Sequence, residues 1–159
     1  MHVLGYNERT YQAEFDRLKQ QIVDAPNLKV IATDISQDAI DISKVNAAAA
    51  GVENLIQFGV CDFEATEIPT DAGVVFFNPE YGERLGEVDE LESTYGRIGD
   101  FLKKKCKGYT GYVFTGNLDL AKKIGLKAKR RIEFYSAKLD CRLLEYELYA
   151  GSREKTVNP

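Results

Sequence analysis

A chain of 159 residues with 44% hydrophobic and 29% charged residues is long enough for one compact core and too short for two ordinary domains. No apolar run approaches the length of a bilayer span, and Met1-His2-Val3-Leu4-Gly5-Tyr6 lacks the charged and apolar regions of a secretory signal. The net charge is −4, and three scattered cysteines (Cys61, Cys106, Cys141) without a C-x-x-C pair, with His2 as the one histidine, support neither a disulfide framework nor a metal site. One cytoplasmic domain over residues 1–150 is expected, with no membrane contact and a polar, frayed tail over 151–159.

In chain order, Tyr11, Phe15, Leu18 and Ile22 recur every three or four residues across Glu8 to Val23 and predict an amphipathic helix, which Pro26-Asn27 ends. Leu28 to Thr33 is rich in β-branched residues and predicts a strand ending at Asp34; Ser36 or Gln37 to Ala50 predicts a helix closed by Gly51. Leu55 to Val60 predicts a second strand, ending at Cys61-Asp62, and Gly73 to Phe77 a third, ending at Asn78. Asp, Asp and Asn thus close three strands in turn. In a parallel sheet they would lie along one rim, where open α/β sheets bind ligands.

Val88 to Lys105 carries Leu91, Tyr95, Ile98 and Leu102 on one helical face, and Gly108 follows as a cap. Tyr109 to Thr115 predicts a strand, and Asn117 to Ile124 a helix stopped by Gly125. Ile132 to Tyr135 and Cys141 to Tyr149 have no helix-length spacer between them and predict an antiparallel hairpin. Charge is uneven along this half. Between Leu102 and Arg131 stand ten basic residues against Asp119 alone, a net +9 that leaves −13 for the rest of a chain at −4. Clustered Lys and Arg are the footprint of a surface that meets a phosphate backbone. Solvated helix ends are the plain alternative.

The most informative residues are Asn78-Pro79-Glu80-Tyr81, where the apolar run Val74 to Phe77 opens into a loop. They offer a side-chain carbonyl, a backbone carbonyl whose direction proline restrains, a carboxylate and a flat ring. Two carbonyl oxygens can accept both N–H bonds of an exocyclic amine while an aromatic face stacks on the base that carries it. The segment resembles the Asn/Asp-Pro-Pro-aromatic tetrad of S-adenosylmethionine-dependent methyltransferases that act on planar nitrogens, with Glu80 in the third place. The longer string Asn78-Pro79-Glu80-Tyr81-Gly82-Glu83-Arg84-Leu85-Gly86 is similar to the guanine-N2 methyltransferases of large-subunit ribosomal RNA, whose catalytic domain usually follows an RNA-binding THUMP domain.

That resemblance implies an α/β fold of class I methyltransferase (Rossmann-like) type, mostly parallel with a C-terminal antiparallel hairpin. It implies S-adenosylmethionine as cofactor and ribosomal RNA as partner. Catalytic roles fall on Asn78, Pro79 and Tyr81, with Glu80 facing the guanine pairing edge and Arg84 facing a phosphate. Asp34 would accept the cofactor's ribose hydroxyls and Asp62 its adenine amine, with Phe63 beside the ring. An N-cap for Asp34, a turn role for Asp62 and a solvent-facing Glu80 are the structural alternatives. Adenine N6 or a glutamine amide are alternative acceptors, and a non-catalytic RNA-binding remnant is a further reading.

One family feature is missing. The glycine-rich loop that receives the methionine end of the cofactor should precede Asp34, yet Gly5 is the sole glycine there. The first strand and its loop are therefore expected upstream of Met1, with the THUMP domain. On that expectation the chain alone is inactive. Whether two copies form a homodimer across the gap is open from sequence.

Overall fold

Local signals start and stop most elements of the computed structural model, which describes residues 5–23, 27–80, 88–136 and 139–149. The Asn7 side chain accepts from the Thr10 N–H and opens α1 (Glu8–Lys19). This helix ends before the predicted Val23 because its last turn tightens, with Gln21 N donating to the Leu18 carbonyl and Ile22 N to that of Lys19. Ser36 likewise caps α2 (Gln37–Ala49), which lies between the strands β1 (Val30–Asp34) and β2 (Ile56–Val60). Then follow β3 (Val74–Phe77), α3 (Val88–Lys105), β4 (Thr110–Thr115), α4 (Leu118–Lys123), β5 (Arg130–Ser136) and β6 (Leu139–Glu147).

The chain divides into two compact units, residues 1–61 and 62–159. In the first, β1 and β2 form a parallel pair running from Val30↔Ile56 to Asp34↔Val60. Helix α2 packs on this pair, and Ile40 and Ala47 are the buried residues it contributes. The apolar stripe of α1 stays exposed, with Tyr11, Phe15 and Leu18 at 52%, 48% and 55%. Tyr11 makes ring contacts with Tyr6 and Phe15 along that stripe.

In the second unit the sheet order is β3-β4-β6-β5. Strands β3 and β4 are parallel, while β6 runs antiparallel to both β4 and β5, so the predicted hairpin is present in a mixed sheet. Residues paired across the strands share a face, so Val75, Phe77, Val113, Leu144 and Tyr146 line one side. Helix α3 covers that side with Leu91, Tyr95, Ile98, Phe101 and Leu102 in one buried cluster. Gly99 allows the closest approach of α4's end. A Cβ there would lie 2.7 Å from the Ile124 carbonyl carbon and closer still to its oxygen. At the heart of the unit the fully buried Tyr95 hydroxyl and Thr115 hydroxyl share a 2.7 Å hydrogen bond. On the other face of β3, Val74 and Phe76 are 66% and 59% exposed.

None of the three cysteines forms a disulfide. Among the described residues no helix is long and apolar enough to cross a membrane, and no group of His, Cys, Asp and Glu could hold a metal ion.

Candidate active site

Strand β3 delivers Asn78 from an anchored base. Phe77 points inward and meets Phe63 and Phe101 edge to face, with ring centroids 5.4 and 6.0 Å away. The three rings form a closed set, since Phe63 and Phe101 lie 5.7 Å apart. The next residue, Asn78, is exposed, and its side chain has no hydrogen-bond partner among the described residues. Pro79 is half-buried and Glu80 exposed. Tyr81 and Arg84 lie outside the described residues. Because β3 and β4 are parallel, the loop after β4 opens at the same end of the sheet as Asn78. There Asn117 caps α4, its side-chain oxygen accepting from Asp119 N and Leu120 N at 3.1 Å each.

Asp34 stands exposed at the carboxyl end of β1. One of its oxygens accepts from the Ser36 N–H at 2.7 Å. The cap of α2 is Ser36 itself, so Asp34 is not the N-cap. Its second oxygen has no partner among the described residues. Asp62 begins the other unit and caps a short 3-10 turn, Phe63–Ala65, with Oδ1 accepting from Glu64 N at 2.9 Å. Its Oδ2 accepts from Arg97 Nη2 at 2.6 Å. The hydrogen bond from that guanidinium holds the Asp62 carboxyl below the usual carboxylate range.

Arg97 was not visible from sequence as a site residue. It also donates from Nη2 and Nε to Glu64 Oε2, at 2.6 and 3.0 Å, and lies 4.9 Å from the centre of the Phe63 ring. Two carboxylates around a tight turn, Asp62 and Glu64, were a signal that a forked cation should sit near. Nothing in the spacing says which one, because the partner is 35 residues away.

Asn78, Asp62 and Phe63 therefore belong to one unit, joined through the Phe63, Phe77 and Phe101 rings, and Asp34 belongs to the other. The basic segment divides the other way. Helix α3 runs back from the Asn78 end, so Lys103, Lys104, Lys105 and Lys107 gather where β4 begins, at the opposite end of the sheet. Two of these lysines, Lys103 and Lys104, pair with Asp100, and elsewhere in the basic segment Lys129 pairs with Glu147. An open cleft of about 490 Å³ lined by Glu64, Ala65, Thr66, Glu67, Ile68 and Lys105 includes none of the predicted site residues. Its lining offers no convergent chemistry.

An ionised carboxylate is a pure acceptor, suited to a hydroxyl or an amine. Within the second unit, Asp62 keeps unused lone pairs among the described residues.

A family model described as "RMKL-like, methyltransferase domain" matches residues 4–145. The ribosomal RNA large subunit methyltransferase K/L of Syntrophotalea carbinolica is 40% identical over 123 residues, covering 75% of this chain and 17% of that protein. The protein of the same name from Legionella pneumophila subsp. pneumophila is 32% identical over 157 residues, covering 97% of this chain and 22% of that protein. The chain thus spans about a fifth of the length of these relatives. A possible methylase from Clostridium difficile 630 superposes with a TM-score of 0.76 at 26% identity, over 93% of this chain and 39% of that one. SMU.472, assigned as a methyltransferase and solved with SAH, has the same TM-score at 20% identity, over 92% and 39%; at that identity the likeness is one of fold.

Proposed function

Since the chain belongs to the RMKL-like methyltransferase domain family, we propose that it forms the acceptor-binding part of an S-adenosylmethionine-dependent methyltransferase acting on the N2 amine of guanine in ribosomal RNA. The observation that carries this reading is the exposed Asn78 side chain at the end of an anchored strand, next to the Pro79 carbonyl. The names of the curated relatives, ribosomal RNA methyltransferases, support the choice of RNA.

Bound S-adenosylmethionine supplies an electrophilic methyl group. The chain's task is to make a poor nucleophile usable, because the lone pair of the guanine N2 amine is delocalised into the ring. Hydrogen bonds from that amine to the Asn78 side chain and the Pro79 carbonyl would fix the nitrogen's direction and favour charge developing on it. Tyr81 is assigned the stacking role on a base swung out of its helix, at a cost of a few kcal/mol of unstacking. Glu80, an acceptor when ionised, matches the N1–H and N2–H donors of guanine and opposes the N1 acceptor of adenine. Arg84 is assigned to a phosphate. Asp34 would take the ribose hydroxyls of the cofactor and Asp62 its adenine amine, with Phe63 beside the ring. The lysines at the end of α3 are assigned to RNA phosphates roughly 20 Å from the acceptor base, a distance set by the length of β4.

Mass spectrometry of nucleosides from RNA treated with the full-length protein tests the reading. N2-methylguanosine is expected. N6-methyladenosine, or methyl transfer to a protein amide, would replace the acceptor while keeping the chemistry, and no transfer at all would leave a binding remnant.

A further inference from the structure

We propose that Arg97 is a positioning residue that aims the Asp62 carboxylate at the cofactor's adenine amine, an inference that rests on the cofactor reading given above. Arg97 sits mid-way along α3 and reaches back to the turn after β2 with a planar fork. One nitrogen, Nη2, lies 2.6 Å from both Asp62 Oδ2 and Glu64 Oε2, and Nε adds a third bond to Glu64 at 3.0 Å. The Arg97 and Asp62 side chains are 39% and 35% exposed. Such ion pairs add little to stability. Their value is directional.

Each oxygen of Asp62 is held by a different donor, Oδ1 by the Glu64 N–H and Oδ2 by Arg97, so the carboxylate cannot rotate freely. A carboxylate offers about four lone-pair sites, and two bonds leave acceptor positions that now point in fixed directions. Arg97 is itself fixed, because its guanidinium rests 4.9 Å from the Phe63 ring centre and that ring is wedged against Phe77 and Phe101. The hydrogen bond from the guanidinium also lowers the Asp62 pKa, favouring the ionised, acceptor form. Helix α3 does not need Arg97 for its own placement, since Tyr95, Ile98, Phe101 and Leu102 are almost wholly buried. What Arg97 orients is the turn that carries Asp62 and Phe63, and Phe77 links that turn to Asn78.

Calorimetry on the full-length protein, with S-adenosylhomocysteine and with S-inosylhomocysteine as probes, separates the possibilities. The inosine compound carries an exocyclic carbonyl oxygen where the adenine amine stood. The unsubstituted protein should prefer S-adenosylhomocysteine, and Asp62→Asn should erase that preference. Arg97→Gln should cut it about tenfold, the worth of one charge-assisted hydrogen bond, while Arg97→Lys restores part of it. The double variant should be no worse than Asp62→Asn alone. If Arg97→Gln leaves the preference intact while Asp62→Asn removes it, or weakens both compounds equally, Arg97 is structural and the proposal fails. If Asp62→Asn itself changes nothing, or the unsubstituted protein shows no preference, the cofactor reading of Asp62 fails and takes the proposal with it.

Discussion

Helices α1 and α3 carry the same spacing of apolar residues, yet one leaves its stripe in solvent and the other buries it. Tyr11, Phe15 and Leu18 on α1 are about half exposed, whereas Tyr95, Ile98 and Leu102 on α3 are at most 1% exposed. Periodicity is a property of the helix; burial needs a partner surface. In residues 62–159 the partner is the inward face of a four-stranded sheet, and in residues 1–61 the two-stranded sheet engages α2. The strands repeat the contrast. Val113 of β4 is fully buried between neighbours, while β3 and β1 each have one ladder among the described residues and expose Val74, Phe76 and Val30. Apolar strands of this kind normally lie inside parallel sheets, covered on both faces.

The largest expected effects break or sharpen that contrast. Leu102→Ala should destabilise the second unit by about 2–5 kcal/mol through lost burial and a cavity, whereas Leu18→Ala should change stability by less than about 0.5 kcal/mol. Urea unfolding of the two variants measures both, and equal losses would mean that α1 is packed after all. Gly99→Ala comes next. Its new methyl group meets backbone at Ile124, which cannot swing aside, so the loss should reach about 3 kcal/mol, at the upper end for overpacking.

A smaller effect is expected in alkali. Burial pushes the Cys106 thiol up from 9.0 to about 11 and the Tyr146 phenol up from 10.0 to about 12. Both are acids whose neutral form the fold favours, so their contribution is intact below pH 9 and is lost as pH climbs towards 12. The urea midpoint of the second unit should fall across that window, and Cys106→Ala should remove the first part of the decline. A flat profile would show that neither group is sheltered from water.

Much of this was legible from sequence where the signal was local. The bounds of α3 and the antiparallel hairpin follow from periodicity and the short spacer; Asn117, read as the first residue of α4, is instead its cap. Strand β5 begins earlier than expected, at Arg130, because a run of basic residues gave no strand signal. Its pairing with Glu145, almost wholly buried on β6, supplies the reason only in three dimensions. The Gly96 and Gly99 pair inside α3 was a readable sign of close helix contact, since glycine weakens a helix interior unless something needs the space. At the candidate site, Asn78 could be read from the end of its strand. Arg97 could not, because an arginine on an unremarkable helical face gains its role from acids far away in the chain.

The central claim is that Asn78 holds the acceptor amine. Its most direct test is single-turnover methyl transfer by the full-length protein carrying Asn78→Ala, with cofactor affinity measured alongside. The account predicts a loss of about 100-fold or more in transfer, the scale of removing one preorganised hydrogen-bonding group, with S-adenosylhomocysteine bound as tightly as before. Transfer at the unsubstituted rate would contradict it.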